Sequence, residues 1–217
     1  MTRPPREEAP EAIHHVVAQG NGRRPIVEDD RDRRAYVNRF ERIARELDWV
    51  VIASSLMDTH HHAVLETPEP NLAVGMRRLQ GGHARWLNVR HRTEGHVFRQ
   101  RFWSRRIVDD RWLFRACLYV VLNPVAAGIC GHPRDWPWGS YSMTADGDPD
   151  SYRRGEKQLL CMFGATPAEA RRRYAEVVDE AVERIRSAAI FLRRDLLCAI
   201  DDLATSRVAA REEQMSD

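Results

Sequence analysis

Three consecutive histidines in the stretch MDTHHHAVLE, His60 to His62, are the residues whose spacing could bind a metal. The run lies inside a patterned region, which excludes an expression tag. On a strand, His60 and His62 share one face and His61 points the other way. Two imidazoles about 7 Å apart can converge on one divalent ion if a third ligand faces them. Many strands carry such a pair without metal, so a chance surface cluster remains the alternative.

A second candidate pair lies in the stretch YVVLNPVAAG. Tyr119 and Asn123 are four residues apart, so on a helix they project from one face about a turn from each other. A tyrosine hydroxyl beside a metal ion can attack phosphorus, while the ion stabilises the leaving oxygen. The Asn123 carbonyl oxygen is a ligand that Mg²⁺ or Mn²⁺ accepts. Without the histidines, the ordinary interpretation is favoured, in which Tyr119 is a half-buried core aromatic and Asn123 a helix C-cap before proline.

Positive charge is concentrated between Asn71 and Arg115, although the net charge of the whole chain is only +2. The segment has eleven arginines against three acidic residues, a net charge of +8 over 45 residues. Binding to a phosphate backbone needs such a concentration. A solvated basic face would give the same pattern, so charge alone leaves both interpretations open.

The elements that would position these residues follow from hydrophobic periodicity and turn signals. The sequence predicts strands at 13–20, 49–57 and 60–66 and a basic extended stretch at 96–110. It predicts helices at 30–47, at 72–90, from Asp110 as N-cap to Asn123, and from Thr166 as N-cap. The order β-α-β-β-α-β-α predicts an α+β fold in which helices pack on an antiparallel sheet.

Composition excludes several classes of protein. No apolar run approaches the ~18 residues that a membrane span needs, and the first residues lack the apolar core of a signal peptide. The cysteines are widely spaced without a CxxC pair, which indicates free thiols in a reducing compartment; they are Cys117, Cys130, Cys161 and Cys198. We therefore expect a cytoplasmic protein with no membrane partner.

The motifs above, together with GHVFRQRFWSRRIV and WPWGSY, resemble those of the HUH single-tyrosine transposases. The nearest resemblance is to the REP-associated tyrosine transposases, bacterial relatives of insertion-sequence transposases, and it runs from Ile13 to Tyr141 with the motifs in order. It implies the ferredoxin-like HUH endonuclease fold at residues 13–145. A Pro- and charge-rich tail at 1–12 is expected to be disordered, and residues 146–217 to form a C-terminal helical extension.

The resemblance also implies a role for each residue of the two pairs. His60 and His62 match the family's ligands of a catalytic Mg²⁺ or Mn²⁺, and Asn123 matches the third ligand position. Tyr119 matches the nucleophile that cuts single-stranded DNA, forms a 5′-phosphotyrosine and releases a 3′-hydroxyl, so that rejoining needs no ATP. His61 departs from the family, which usually has a bulky hydrophobic residue there. Because His61 faces away from the metal, it should affect packing more than ligation.

The basic segment is then expected to bind the substrate, a single strand or a hairpin. Proteins that bind single strands track phosphates with cations and stack bases on aromatic rings. The candidate DNA-binding residues are Arg77, Arg78, Arg85, Arg99, Arg101, Arg105 and Arg106. Phe98, Phe102 and Trp103 lie between them and are either stacking residues or the core of an edge strand.

Two further groups have an ordinary interpretation beside a functional one. His14 and His15 on the first strand either lie on the surface or approach the site, where one could orient a ligand or contact DNA. In the C-terminal region, Arg171, Arg172 and Arg173 beside Tyr174 either contact DNA or belong to a packing helix.

Three functions fit these observations. The first is an active single-strand DNA transposase, working as a monomer or homodimer and associated with the nucleoid when bound to DNA. The second is a domesticated relative that binds hairpin DNA in regulation or genome maintenance, with little or no transposition. The third, a metal-binding structural module, leaves the Tyr119–Asn123 spacing and the basic segment unexplained.

Overall fold

The computed structural model describes residues 8–151, 153–187 and 200. Its strands are β1 (Ala12–Gln19), β2 (Val50–Leu56), β3 (His60–Thr67) and β4 (Trp103–Ile107). Its helices are α1 (Asp30–Glu46), α2 (Leu72–His91), α3 (Asp110–Ala126), α4 (Tyr141–Ala145), α5 (Glu156–Leu160) and α6 (Pro167–Ser187). The predicted order of the longer elements is confirmed, but the basic stretch forms a strand only over its last part, as β4.

The four strands form one antiparallel sheet in the order β2-β3-β1-β4. Strand β1 is central, and its Val17 pairs with His62 on one side and with Trp103 on the other. Burial alternates along β1, so that His14, Val16 and Ala18 point into the core. The predicted fold class, an antiparallel sheet covered by helices, is confirmed.

The chain divides into two compact units. One groups Leu56–Ile107 with the part that ends at Val51, and the other groups Ile52–Ser55 with the part that begins at Val108. The predicted domain boundaries, after residues 12 and 145, stay predictions. Residues 1–7 of the predicted tail, and the predicted extension beyond Ser187 apart from residue 200, lie outside the described residues.

In the first unit, a charged network joins the start of α1 to the end of α2. Asp29 caps α1 by accepting from the Asp32 N–H at 3.0 Å. Asp32 is fully buried, and its carboxylate contacts Arg90 and lies 2.9 Å from His91 Nε2. Burial raises the pKa of Asp32, but hydrogen bonds from the Glu28 N–H, His91 and Arg90 outweigh it and lower the pKa overall. The buried carboxylate is therefore charged and fully partnered, as burial of a charge requires.

In the second unit, helix α3 differs from its prediction at both ends. The N-cap is Asp109, whose carboxylate accepts from the Trp112 N–H at 2.7 Å, so the predicted cap at Asp110 is wrong by one residue. The helix continues through Pro124 to Ala126, so the predicted end at Asn123 is also wrong. Proline only disfavours helical geometry in the residue before it. Here Pro124 lies inside the helix, and both Pro124 and Val125 are buried.

Helix α6 packs in the second unit through a buried aromatic cluster. Tyr174 is 5.4 Å from Phe163 and 5.8 Å from Tyr141 between ring centroids, and Phe163 stacks on Phe114. Thr166 Oγ1 accepts from the Glu169 N–H at 3.3 Å, which confirms the predicted N-cap.

Two further expectations concern membrane and thiol chemistry. None of the helices in the described part of the chain combines the length and apolar character that a membrane crossing requires. Cys117, Cys130 and Cys161 are free thiols, and Cys198 lies outside the described residues.

Candidate functional site: a histidine face, a helical tyrosine and an arginine surface

The β3 strand places His60 and His62 on one face, as the alternation of side chains predicts. Their ring centroids are 4.9 Å apart and the rings are nearly perpendicular, at 88°. The tight turn before β3 is closed by a hydrogen bond from the Met57 N–H to the His60 carbonyl at 2.8 Å. The first histidine therefore stands at the rigid start of the strand.

The middle histidine, His61, faces the helices instead. It is 4% exposed, with its ring 4.8 Å from Phe40 and 5.1 Å from Tyr36. Its Nδ1 lies 3.1 Å from the Tyr36 hydroxyl. Burial, and secondarily the neighbouring His60, lower the pKa of His61 to about 3. A neutral imidazole thus packs in the core, and the prediction that His61 faces away from the other two is confirmed.

The side chains beside the histidine pair contact the Nδ1 atom of each ring. Thr59 Oγ1 lies 2.9 Å from His60 Nδ1, and His15 Nε2 lies 3.1 Å from His62 Nδ1. His15 reaches His62 because β1 and β3 are paired, and Trp103 of β4 meets the His15 ring edge-on at 5.5 Å. The structure therefore favours the interpretation in which His15 approaches the site.

His14, the neighbour of His15, points into the core, so its interpretation as a surface residue is wrong. It is 2% exposed, and its Nε2 has no hydrogen-bond partner within the described part of the chain. Burial, and secondarily the Arg106 guanidinium, lower the pKa of His14. The side chain is thus a neutral core residue on the opposite face from His15.

The histidine face fits a divalent ion only in part. Among residues 8–151, 153–187 and 200, no group of three or more His, Cys, Asp or Glu side chains is arranged to hold a metal. An ion bound through the Nε2 atoms of His60 and His62 would preserve both Nδ1 contacts, in the manner of outer partners that orient metal-binding histidines. Two imidazoles leave further positions to be filled, and a carboxamide oxygen suits Mg²⁺ or Mn²⁺ there.

Tyr119 and Asn123 lie one turn apart on α3, which belongs to the second unit, whereas the histidines belong to the first. Tyr119 is 6% exposed and Asn123 8%. The Asn123 carbonyl accepts from the Ala127 N–H at 2.9 Å inside the last turn. Asn123 is therefore an internal helical residue, and its interpretation as a C-cap is wrong.

The seven arginines predicted to bind DNA are all exposed. Arg78 forms an ion pair with Glu46. Within the described residues, five of the others form no ion pair with an acidic side chain: Arg77, Arg85, Arg99, Arg101 and Arg106. The surface therefore carries positive charge that this part of the chain does not neutralise.

The aromatic residues among these arginines separate into different environments. Phe102 is 3% exposed and belongs to the core, whereas Trp103 is 38% exposed on β4. Phe98 is half-buried. The sequence left both interpretations open for each residue; the structure favours core packing for Phe102 and leaves Phe98 and Trp103 accessible.

Comparison with known proteins shows which transposases this chain is similar to. Residues 9–108 match the family described as "Transposase IS200 like". A curated homologue from Haemophilus influenzae, named REP-associated tyrosine transposase, is 26% identical over 121 residues, which cover 49% of this chain and 69% of the relative. The solved structure of a REP-associated tyrosine transposase bound to a REP hairpin has a TM-score of 0.59 at 16% identity, covering 71% of this chain and 97% of that one. That likeness shows the fold, and the match over residues 9–108 shows that this part of the chain is similar to the IS200-like transposases.

Proposed function

We propose that this protein cuts and rejoins single-stranded DNA near hairpins, with Tyr119 as nucleophile and a divalent ion at His60 and His62. The observation that carries the proposal is the pair of imidazoles on one face of β3, with Nδ1 of each ring in contact with a neighbouring side chain. The similarity of residues 9–108 to a transposase family supports an enzyme that acts on DNA.

The metal ligands in this proposal are His60, His62 and Asn123. The ion, Mg²⁺ or Mn²⁺, would withdraw charge from the scissile phosphate and stabilise the leaving oxygen. His15 would hold the His62 ring in orientation through its Nδ1 contact, and Thr59 would do the same for His60. His61 would support the strand from behind by packing on Tyr36 and Phe40.

The chemical step assigned to Tyr119 is a transesterification. The tyrosine oxygen forms a bond to phosphorus, the bond between phosphorus and the 3′ oxygen breaks, and the proton of the tyrosine ends on the released 3′-hydroxyl. The 5′ end stays attached as a phosphotyrosine, so the energy of the phosphodiester is kept in the covalent bond. Attack by another 3′-hydroxyl reverses the step and rejoins the strand.

The DNA partner is proposed to bind along the exposed arginines. Arginine contacts phosphate in a bidentate manner, and an excess of unneutralised positive charge is the electrostatic signature of nucleic-acid binding. A hairpin is the preferred form because the structurally similar transposase was solved with a REP hairpin bound. Sequence reasoning gave the same set of arginines, but it missed that Arg78 is engaged by Glu46.

The test is covalent capture of labelled hairpin oligonucleotides, taken from palindromes beside the gene, with Mn²⁺ or Mg²⁺. We expect a denaturant-resistant protein–DNA adduct that needs the metal and is lost in Tyr119→Phe. Tyr174→Phe is the matched control, because the buried Tyr174 hydroxyl has no hydrogen-bond partner in the described part of the chain. An adduct that persists in Tyr119→Phe would show a different nucleophile.

The second function, hairpin binding without transposition, is favoured by the same arginine surface, which needs no catalytic chemistry to act. It predicts retarded protein–DNA complexes with no adduct under any divalent metal. His60→Ala separates the two functions further. We expect that substitution to abolish the adduct while hairpin affinity measured without metal stays within about two-fold, because no phosphate contact is removed.

A further inference from the structure

A groove of about 430 Å³ runs between α2 and the segment 95–102 that precedes β4. Its apolar lining includes Val74, Ala84, Phe98 and Phe102. The volume falls within the range of roughly 300–1,000 Å³ typical of ligand sites. The groove lies within one compact unit, so its shape is set by α2 and the chain that crosses it.

The two arginines that line the groove carry positive charge. Arg77 and Arg101 line it, both are exposed, and neither forms an ion pair with an acidic side chain within the described residues. Among the described residues, no aspartate or glutamate lines the groove. An apolar cleft bordered by two unneutralised guanidinium groups is complementary to a ligand with a flat apolar body and an attached anion.

Few polar side chains, apart from the arginines, line the groove. The Gln80 side chain is 8% exposed, and its Nε2 donates to the Gln100 carbonyl at the long distance of 3.4 Å. The exposed His96 also lines the cavity. A small number of polar groups in an apolar pocket is the arrangement that holds a heterocycle by its edge.

We propose that this groove binds one unstacked nucleotide of single-stranded DNA. The base lies against Phe98 and the apolar wall, and Arg77 and Arg101 contact the adjoining phosphates. Stacking on an aromatic ring tolerates any base, and arginines beside the ring track the backbone. This inference rests on the proposed function and deepens it, because it names the groove as the place where a nucleotide of the single strand beside a hairpin binds.

The decisive variant is Gly81→Leu, which fills the groove from its helical wall. A Cβ at Gly81 meets nothing within 4 Å, so the leucine enters open space without a clash. Leucine is also a better helix former than glycine, so the folded state should gain stability. Val89→Leu is the control, because Val89 is 76% exposed on the same helix and does not line the groove.

The measurement is fluorescence anisotropy of the full chain, without metal, on two labelled hairpins. One hairpin carries a single-stranded extension and the other is blunt. We expect Gly81→Leu to weaken binding of the extended hairpin about ten-fold, the equivalent of one stacked base, and to leave the blunt hairpin unchanged. Val89→Leu should leave both affinities unchanged.

Other outcomes overturn the proposal. Unchanged binding of the extended hairpin by a folded Gly81→Leu protein shows that the groove is not used. Equal weakening for both hairpins shows that it contacts duplex DNA. If Gly81→Leu lowers the melting temperature, the double change Arg77→Gln and Arg101→Gln replaces it, with the exposed Arg34→Gln on α1 as control.

The two proposals fail in different ways. Because the groove is tested without metal and without cleavage, its result does not depend on the phosphotyrosine chemistry. If the wild-type protein forms no adduct but the groove variants behave as expected, only the nuclease proposal is removed. If the groove instead binds a peptide from another part of the chain, Gly81→Leu should leave the affinity for both hairpins unchanged.

Discussion

Two regions of this protein are rich in arginine, and they differ in how many of those arginines are paired with acidic side chains. Between Asn71 and Arg115, eleven arginines face three acidic residues, and Arg77, Arg85, Arg99 and Arg101 form no ion pair within the described residues. Helix α6 carries five arginines and five acidic residues, a net charge of zero. Its Arg172 and Arg173 pair with Glu176 and Glu169, each one turn away, at 2.7 and 2.8 Å.

The contrast with the unpaired arginines of the basic region is largest at Arg171, which is 4% exposed. Its guanidinium donates to the Asp148 carbonyl at 3.0 Å, the Ser151 carbonyl at 2.9 Å and the Glu156 carboxylate at 2.8 Å, and also to the Thr144 carbonyl. An arginine with its donors committed to backbone and a buried carboxylate has nothing left for a phosphate. The same residue type therefore stabilises the fold in α6, and on α2 and in the segment before β4 it remains available to a polyanion.

The largest effect is expected for Arg171→Met, which should lower the free energy of unfolding by roughly 3–5 kcal/mol. The substitution leaves the Glu156 carboxylate buried without its guanidinium and three backbone carbonyls without a donor. Urea denaturation followed by circular dichroism measures the change. Replacing Glu156 as well, with Met, should recover part of the loss because no uncompensated charge remains. A cost below about 1 kcal/mol would mean that Arg171 is not structural.

Arg90 differs from the unpaired arginines of the basic region, because it is paired with Asp29 and the buried Asp32. We expect Asp32→Asn to lower stability at neutral pH by roughly 1–3 kcal/mol, since it removes a charged hydrogen-bond acceptor from a buried network. Chemical denaturation at neutral and acidic pH measures it, with the exposed Asp30→Asn as control.

The pH dependence of that loss has a definite sign. The pKa of Asp32 is lowered from 3.8, so its ionised form contributes stability above that value. The contribution is lost as pH falls below 3.8 through the lower pKa of the folded state. The difference between wild type and Asp32→Asn should therefore shrink in acid. A difference that is constant down to pH 3 would show that packing, and not charge, is lost.

On the DNA side, the double variant Arg77→Gln and Arg101→Gln should flatten the salt dependence of binding. Each phosphate contact contributes about 0.7 to the slope of log affinity against log salt for single strands, so two contacts contribute about 1.4. Anisotropy titrations at several salt concentrations measure the slope. Arg172→Gln removes the same kind of charge from α6 and should leave the slope unchanged. Equal slopes for all three proteins would remove the distinction between the regions.

The sequence alone predicts the parts of this molecule that depend on local periodicity. Alternation along β3 placed His60 and His62 together, and helical spacing placed Tyr119 and Asn123 one turn apart; the structure has both arrangements. These results need only the geometry of one element.

Features that depend on pairing between distant elements could not be predicted in the same way. The contact of His15 with His62 requires the register of β1 against β3, a separation of 47 residues. The ion pair of Arg78 with Glu46 joins two helices, and the burial of Arg171 depends on the loop that holds Asp148 and Ser151. The local sequence of an arginine-rich segment does not show which of its arginines are paired with acidic residues from distant parts of the chain.

The smallest effect should come from Glu46→Gln, which releases Arg78, a member of the predicted DNA set, from its ion pair with Glu46. Exposed ion pairs contribute about 0–1 kcal/mol, and both side chains are more than 40% exposed, so stability should barely change. DNA affinity should rise about two- to five-fold, because Arg78 no longer exchanges a carboxylate for a phosphate when it binds. Glu41→Gln, at an exposed position on the same helix, controls for the general loss of negative charge. If both substitutions raise the affinity equally, Arg78 acts only through the overall field of the protein. A rise confined to Glu46→Gln places Arg78 in contact with the strand, and shows that pairing within the protein decides which arginines bind DNA.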